Sequence, residues 1–167
     1  VPKLAFQITT DQPADISARG WRRALVAGWF AVGVYHDEVV QPRKFEPGAE
    51  QRYQYQARSK KYLERKQRGG EATWKIKDGG RTPLVYSGVT RTRTLARQLP
   101  RAFPTRVWVD IPTPPYIQMR PDRRRWNMPA MGVELTSVTP DEIREMEKIF
   151  IAAVEAQLNK ERETRRL

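Results

Sequence analysis

The sequence predicts an α+β fold: an antiparallel sheet of roughly four to five strands packed by two to three helices, with one extended arm. Three observations carry that expectation. Apolar and polar residues alternate in several short segments, Lys3–Thr9 and Arg106–Ile111 among them, as half-buried strands do. In two long segments, Ile16–Tyr35 and Ile143–Leu158, apolar residues recur at three- and four-residue steps, as in amphipathic helices. The two kinds of segment do not alternate strictly, which disfavours a parallel β-α-β sheet. With 167 residues, 39% hydrophobic and 30% charged, the chain suffices for one core and is expected to be a single domain over 1–167.

The elements follow in order. In Lys3–Thr9, Leu4, Phe6 and Ile8 share one strand face. Asp11–Asp15 interrupts it. From Ile16 to Tyr35, Trp21, Leu25, Trp29 and Val32 mark a helix, with Gly20, Gly28 and Gly33 either weakening it or letting another backbone approach closely. Val39–Gly48, with Pro42 and Pro47, reads as a connection. Ala49–Arg68 has no helix breaker and is expected to be one helix, stopped by Gly69 and Gly70. Between that pair and Gly79–Gly80, residues 71–77 alternate. Ala72, Trp74 and Ile76 face one way and Thr73, Lys75 and Lys77 the other, as in an exposed hairpin arm.

Val89–Leu99, rich in Thr and Arg, and Arg106–Ile111 would be two strands joined near Pro100–Pro104, the second closed by Pro112, Pro114 and Pro115. Arg91, Arg93 and Arg97 would then lie on one face, with Thr90, Thr92 and Thr94 opposite. A last strand is expected over Met131–Val138, with Met131, Val133 and Leu135 on one face. Thr139 as N-cap, Pro140 at the first helical position and Glu142 closing a capping box open the C-terminal helix. Ile143, Met146, Phe150, Val154 and Leu158 form its stripe, and a charged tail over 159–167 is expected to fray.

The residue types bound the chemistry. There is no cysteine, so neither a disulfide framework nor a thiolate site is possible. The single histidine, His36, reads as a surface or helix-end residue without a second histidine to make a metal pair. Ser87 lacks the Gly-x-Ser-x-Gly setting, and no phosphate-binding glycine loop occurs. Asp110, Glu134 and Asp141 are the one carboxylate set that a metal-dependent nuclease could use, and their spacing does not ask for it. The expectation is a protein that is not an enzyme and needs no cofactor. The longest apolar stretch, Ala24–Tyr35, has 12 residues, short of the roughly 20 that cross a bilayer. A soluble protein of the cell interior, or of a particle assembled there, is expected.

The net charge of +12, from 31 basic and 19 acidic residues, favours anionic partners. Arg52–Arg68, "RYQYQARSKKYLERKQR", carries seven of the cations against Glu64 alone. On a helix, Tyr55, Arg58 or Ser59, Tyr62 and Lys66 lie along one line, Tyr55 and Tyr62 with Leu63 forming a narrow docking stripe, while Lys60, Lys61, Arg65 and Arg68 spread over the rest. Those charges could be merely solvated, could contact phosphates, or could meet an acidic protein neighbour. A second cluster, Arg120, Arg123, Arg124 and Arg125, precedes Trp126. A third is spread over Arg91, Arg93, Arg97, Arg101 and Arg106. A basic face with Trp126 or Tyr116 could stack single-stranded bases, although no recognition-module signature accompanies it.

"KFEPGAEQRYQYQARSKKYLERKQRGG", followed by "TPLVYSGVTR", resembles the neck and minor tail proteins of tailed bacteriophages, of the tail-completion or virion-morphogenesis type. The matching residues are Pro83, Leu84, Val85, Ser87, Gly88 and Arg91, after a Tyr- and basic-rich helix; the detailed likeness covers Phe45–Arg97. The resemblance implies a Thr/Arg-rich strand, more strands and a C-terminal helix. It also implies a non-enzymatic virion protein assembled in the host cytoplasm. Its partners would be copies of itself in a ring, often sixfold, together with portal, adaptor or stopper rings and tail-tube proteins. DNA would pass through the lumen, in sequence-independent contact with the basic residues, and Thr73, Trp74, Lys75, Ile76 and Lys77 would reach a neighbouring subunit. The alternative is a basic nucleic-acid-binding module, RNA- or ribosome-associated.

Overall fold

Ser17 sets the first helix. Its Oγ accepts a hydrogen bond from the Gly20 amide at 3.2 Å, satisfying one of the donors left over in a helix's first turn, and α1 runs from Ala18 to Tyr35. In this computed structural model the described residues are 3–6, 11–55, 60–61, 64, 89–96, 98–112 and 129–164. They fall into two compact units. One comprises Lys3–Glu38, Gln98–Asp110 and Pro140–Leu167; the other comprises Val39–Arg97 and Ile111–Thr139 with the first two residues.

In the first unit, α1 packs on the long C-terminal helix, Pro140–Thr164. The helical periodicity decides which faces meet. Ala24, Gly28, Trp29 and Val32 of α1 are buried, as are Met146, Phe150, Val154 and Leu158 of the C-terminal helix. The Trp29 and Phe150 rings lie 4.8 Å apart at 58°. A methyl group on Gly28 would stand 2.7 Å from Val154 Cγ2 and 2.9 Å from the Phe150 ring, so the glycine serves close approach of the two helices. The charged tail expected to fray from Asn159 is helical to Thr164. Arg23 bridges Glu161 at 2.7 Å, and Arg162 Nε donates to Asp15 at 2.8 Å. That hydrogen bond, with the attraction of the carboxylate, raises the pKa of Arg162 above the ordinary arginine value.

The same unit holds the sheet. Strands β1 (Lys3–Phe6), β2 (Arg101–Phe103) and β3 (Arg106–Asp110) form an antiparallel sheet in the order β1-β3-β2. Lys3 pairs with Asp110 and Phe6 with Val107; Arg101 pairs with Trp108 and Phe103 with Arg106. Pro104 and Thr105 make the turn between β2 and β3. Alternation along β3 buries Val107 and Val109 and leaves Arg106, Trp108 and Asp110 on the other face.

This corrects the expected fold class: the described structure is mostly helical, and its three short strands fall short of the sheet of four to five. Two expected strands are helices. After α2 (Gln41–Arg43) and α3 (Ala49–Arg52), Val89–Thr94 forms α4. It buries Thr90 and Thr94, four residues apart, and exposes Thr92. A strand would have put all three threonines on one face, so Arg91 and Arg93 are not part of a cationic sheet surface. Met131–Val138 gives way to α5, Pro129–Thr136. Here Val133 is 69% exposed while Leu135, two residues on, is fully buried, the opposite of what one strand face requires. The strand partner of β3 across the 100–104 region is therefore β2, not Val89–Leu99. The C-terminal helix is α6.

In the second unit, Val39–Gly48 is more regular than a connection. A π-helical turn, His36–Val40, leads into α2 (Gln41–Arg43), and α3 follows over Ala49–Arg52. His36 stands at the end of α1 as expected but is fully buried, not on the surface. Gly48, before α3, has φ +85°, which favours glycine. The expected unbroken helix over Ala49–Arg68 stops at Arg52, and Gln54 adopts φ +55°. The reason lies in the tyrosines. Tyr53 and Tyr55 stack at 5.8 Å, and Tyr55 Oη donates to the Lys44 carbonyl at 3.1 Å. Residues two apart cannot meet in this way on one helix face. Lys44 itself is buried. Its ammonium donates to the carbonyl of Leu135 in the last turn of α5 and lies 5.9 Å from the Tyr53 ring, placing positive charge at the negative end of a helix.

Candidate functional site

Two exposed surfaces of the first unit concentrate chemistry that the interior does not use. The first is the outer face of the β2–β3 hairpin. Cross-strand pairing sets Phe103 against Arg106 and Arg101 against Trp108, which brings Phe103 and Trp108 together as diagonal neighbours, their rings 5.2 Å apart and edge to face. The Arg106 guanidinium lies 4.8 Å from the Trp108 ring centroid and 5.9 Å from that of Phe103; Arg101 lies 5.8 Å from Trp108. Such contacts contribute about 0.5–1 kcal/mol each at exposed sites. Arg101 is also bound to Asp110 at 2.6 Å. Arg106 has no carboxylate partner among the described residues, so its donors are available to an anion while its plane rests on tryptophan. Leu99, 75% exposed, sits just before the hairpin.

The second surface is a groove of about 520 Å³ along α1, lined by Arg19, Arg22, Arg23, Val26, Ala27 and Phe30 with Gln157 of α6. Arg22, Val26 and Phe30 follow one another at four-residue steps, so one row of α1 lines the groove, cationic at one end and apolar at the other. Phe30 is 44% exposed. Arg23 is held by Glu161, whereas Arg19 and Arg22 are exposed and form no ion pair among the described residues.

Of the basic residues singled out in the sequence, Lys60 and Lys61 are exposed and helical. Arg58, Arg65, Lys66, Arg68, Arg120, Arg123, Arg124 and Arg125 lie outside the described residues, as do the arm residues Thr73, Trp74, Lys75, Ile76 and Lys77. Arg101 and Arg106 of the third cluster are brought together; Arg91 and Arg93 are exposed on α4 of the other unit, and Arg97 lies outside the described residues. The α1 groove went unread, because Arg19, Arg22 and Arg23 look like the wet beginning of a buried helix. The signal was the four-residue row from Arg22 to Phe30.

Asp110 is tied to Arg101, Asp141 bridges Arg144 at 3.0 Å, and Glu134 is buried. Among the described residues no group of three or more histidines and carboxylates is placed to hold an ion. No helix among them is long and apolar enough to cross a membrane. Comparison with protein-family models, with curated proteins and with solved structures finds no match.

Proposed function

We propose that the chain is a structural assembly subunit that works through its contact surfaces, and in the finer form a ring-forming head–tail connector or tail-completion protein of a tailed-phage neck. The observation that carries the assembly reading is the pair of unlike exposed faces on the α1–α6 helix pair. One is the arginine-flanked apolar groove; the other is the outer side of α6, where Ile151 is exposed between Glu147 and Glu155, neither of them in an ion pair among the described residues. A subunit that meets its neighbour through two different patches generates a ring when the rotation closes. The finer form rests on the motif over 45–97, from "KFEPGAEQRYQYQ" to Pro83, Leu84, Val85, Ser87, Gly88 and Arg91. The element order implied by that resemblance is met by the C-terminal helix and not by residues 89–94 or 129–136, which are helical.

In this role the basic surplus meets DNA in the channel or acidic patches of portal, adaptor, stopper or tail-tube rings. The expected result is a discrete oligomer by size-exclusion chromatography with mass measurement, with co-elution of a tail-tube or stopper protein. A chain that stays monomeric and takes no such partner overturns the proposal.

The hairpin face supports a second reading, a basic nucleic-acid-binding module. Arg106 stacked on Trp108 beside the exposed Phe103 is a combination that can hold a phosphate and a base together. Under that reading a labelled single strand binds with a steep salt dependence, and Arg106→Ala lowers the slope of log K against log salt by about one. An unchanged slope removes the hairpin from the interface.

A further inference from the structure

We infer that the α1 groove is the receptor for the outer face of α6 from a second copy of this chain, forming a head-to-tail subunit contact. The inference rests on the self-assembly proposed above and names the surfaces that perform it.

The two faces match in shape, spacing and charge. On α6, Ile151 is 54% exposed and projects away from the buried stripe. Glu147 and Glu155 flank it one helical turn to either side, both exposed and neither in an ion pair among the described residues. On α1, Arg22, Val26 and Phe30 repeat the same four-residue step, about 6 Å per step along a helix axis. Ridges at four-residue spacing interdigitate in the commonest class of helix packing. Setting Ile151 on Val26, Ala27 and Phe30 covers the apolar floor. Because a glutamate lies one turn on each side of Ile151, either helix direction brings a carboxylate to Arg22, with Arg19 one turn beyond.

The charges discriminate against other arrangements. On the α6 face Arg144 and Lys148 are held by Asp141 and Glu145 of their own helix, so Glu147 and Glu155 are its free charges among the described residues; groove against groove then opposes arginines, and α6 face against α6 face opposes these glutamates. Only the heterologous pairing is complementary, and such pairing suits a ring better than a twofold dimer. Arg23 takes no part, since Glu161 of its own chain already holds it.

Charge reversal tests the contact. One chain carries Arg19→Glu with Arg22→Glu; a second carries Glu147→Arg with Glu155→Arg. All four positions are exposed, and far-UV circular dichroism checks that each variant folds. Each variant alone places like charges in the contact and is expected to self-associate at least about tenfold more weakly than the wild type in sedimentation velocity. An equimolar mixture is expected to regain the wild-type oligomer, because alternating copies restore every opposite-charge contact. Variants that associate like the wild type, or weakened variants that do not recover on mixing, overturn the assignment of these faces while leaving self-assembly through another face. A wild-type chain that remains monomeric at every concentration overturns both the contact and the assembly reading.

Discussion

Phe150→Ala should destabilise the chain by about 3–5 kcal/mol, the range for emptying the place of a large buried aromatic side chain. The expectation follows from position more than from size alone. Phe150 is 1% exposed, stands at the middle of the α6 stripe, and contacts the Trp29 ring at 4.8 Å on the facing helix. It also lies against Gly28, where the helices come too close for a neighbouring side chain to swing in and refill the space. The cavity would therefore persist, and the cost includes both the lost transfer free energy and the unfilled volume. Urea unfolding followed by Trp fluorescence measures it. Ile151→Ala, the next residue, is the control, read at a concentration where the chain is monomeric so that the proposed self-contact does not contribute. Ile151 is exposed, so it should change stability by less than about 0.5 kcal/mol. A loss at Phe150 no greater than at Ile151 would show that the α1–α6 seam is not the core of this unit.

What was legible in the sequence follows the strength of the local signal. Helices α1 and α6 are readable because most residues that mark the 3.6-residue period are buried, Trp29 and Val32 on one and Met146, Phe150, Val154 and Leu158 on the other, although Trp21 and Leu25 are only half-buried and Ile143 is exposed. Strand β3 was readable because Val107 and Val109 alternate with Arg106 and Trp108. The misreadings occur where local pattern and tertiary burial part company. "VTRTRT" alternates threonine and arginine, and threonine favours strands, yet Thr90 and Thr94 are buried at helical spacing. "PAMGVELT" is apolar nearly all round, so a strand and a short buried helix predict the same residues, and only Pro129 at the first helical position favoured the helix.

The helix expected to run unbroken from Ala49 is interrupted after Arg52, with Lys60, Lys61 and Glu64 helical again, for a different reason. Propensity alone continues it, but Tyr53 and Tyr55 reach back to Lys44, and that long-range contact cannot be seen from residues 49–68. The candidate site shows the same division. Arg101 and Arg106 were recognised as basic residues, but their shared stacking on Trp108 needs the register of β2 on β3. The groove was hidden because an arginine at the start of a helix reads as solvated unless its four-residue row is followed to Val26 and Phe30. The glycines were left between two meanings, a weakened helix or close approach, and Gly28 and Gly33 take the second.

Gly33→Val should cost about 3 kcal/mol, the upper part of the range for forcing extra atoms into a packed interior. A Cβ on Gly33 would meet the Pro100 ring, with Cγ at 2.9 Å and Cβ closer still, and Val107 Cγ2 at 2.9 Å. Neither neighbour can give way cheaply. Pro100 is buried and its ring is fixed to the backbone, while Val107 is fully buried in the central strand. Replacing a helical glycine ordinarily gains up to about 1 kcal/mol with alanine and less with a β-branched residue, so helix propensity does not offset the clash.

Gly20→Ala supplies the contrast. Its nearest neighbours, Glu161 Oε2, Ile16 Cγ2 and the capping Ser17 Oγ, all stand at 3.3 Å, tight but without overlap, so that change should cost far less than Gly33→Val, within about 1 kcal/mol either way. The consequence of Gly33→Val reaches the surface as well. Pro100 directly precedes β2, and β2 carries Arg101 and Phe103 of the hairpin face. Moving Pro100 away from α1 shifts β2 against β3 and separates the Arg101 and Arg106 guanidinium groups from the Trp108 ring. Thermal unfolding reads the stability loss, and near-UV circular dichroism of the folded variant reads the disturbed tryptophan. A valine variant as stable as the wild type, with an unchanged tryptophan signal, would mean that α1 and the hairpin do not approach as closely as the Gly33–Pro100 contact requires.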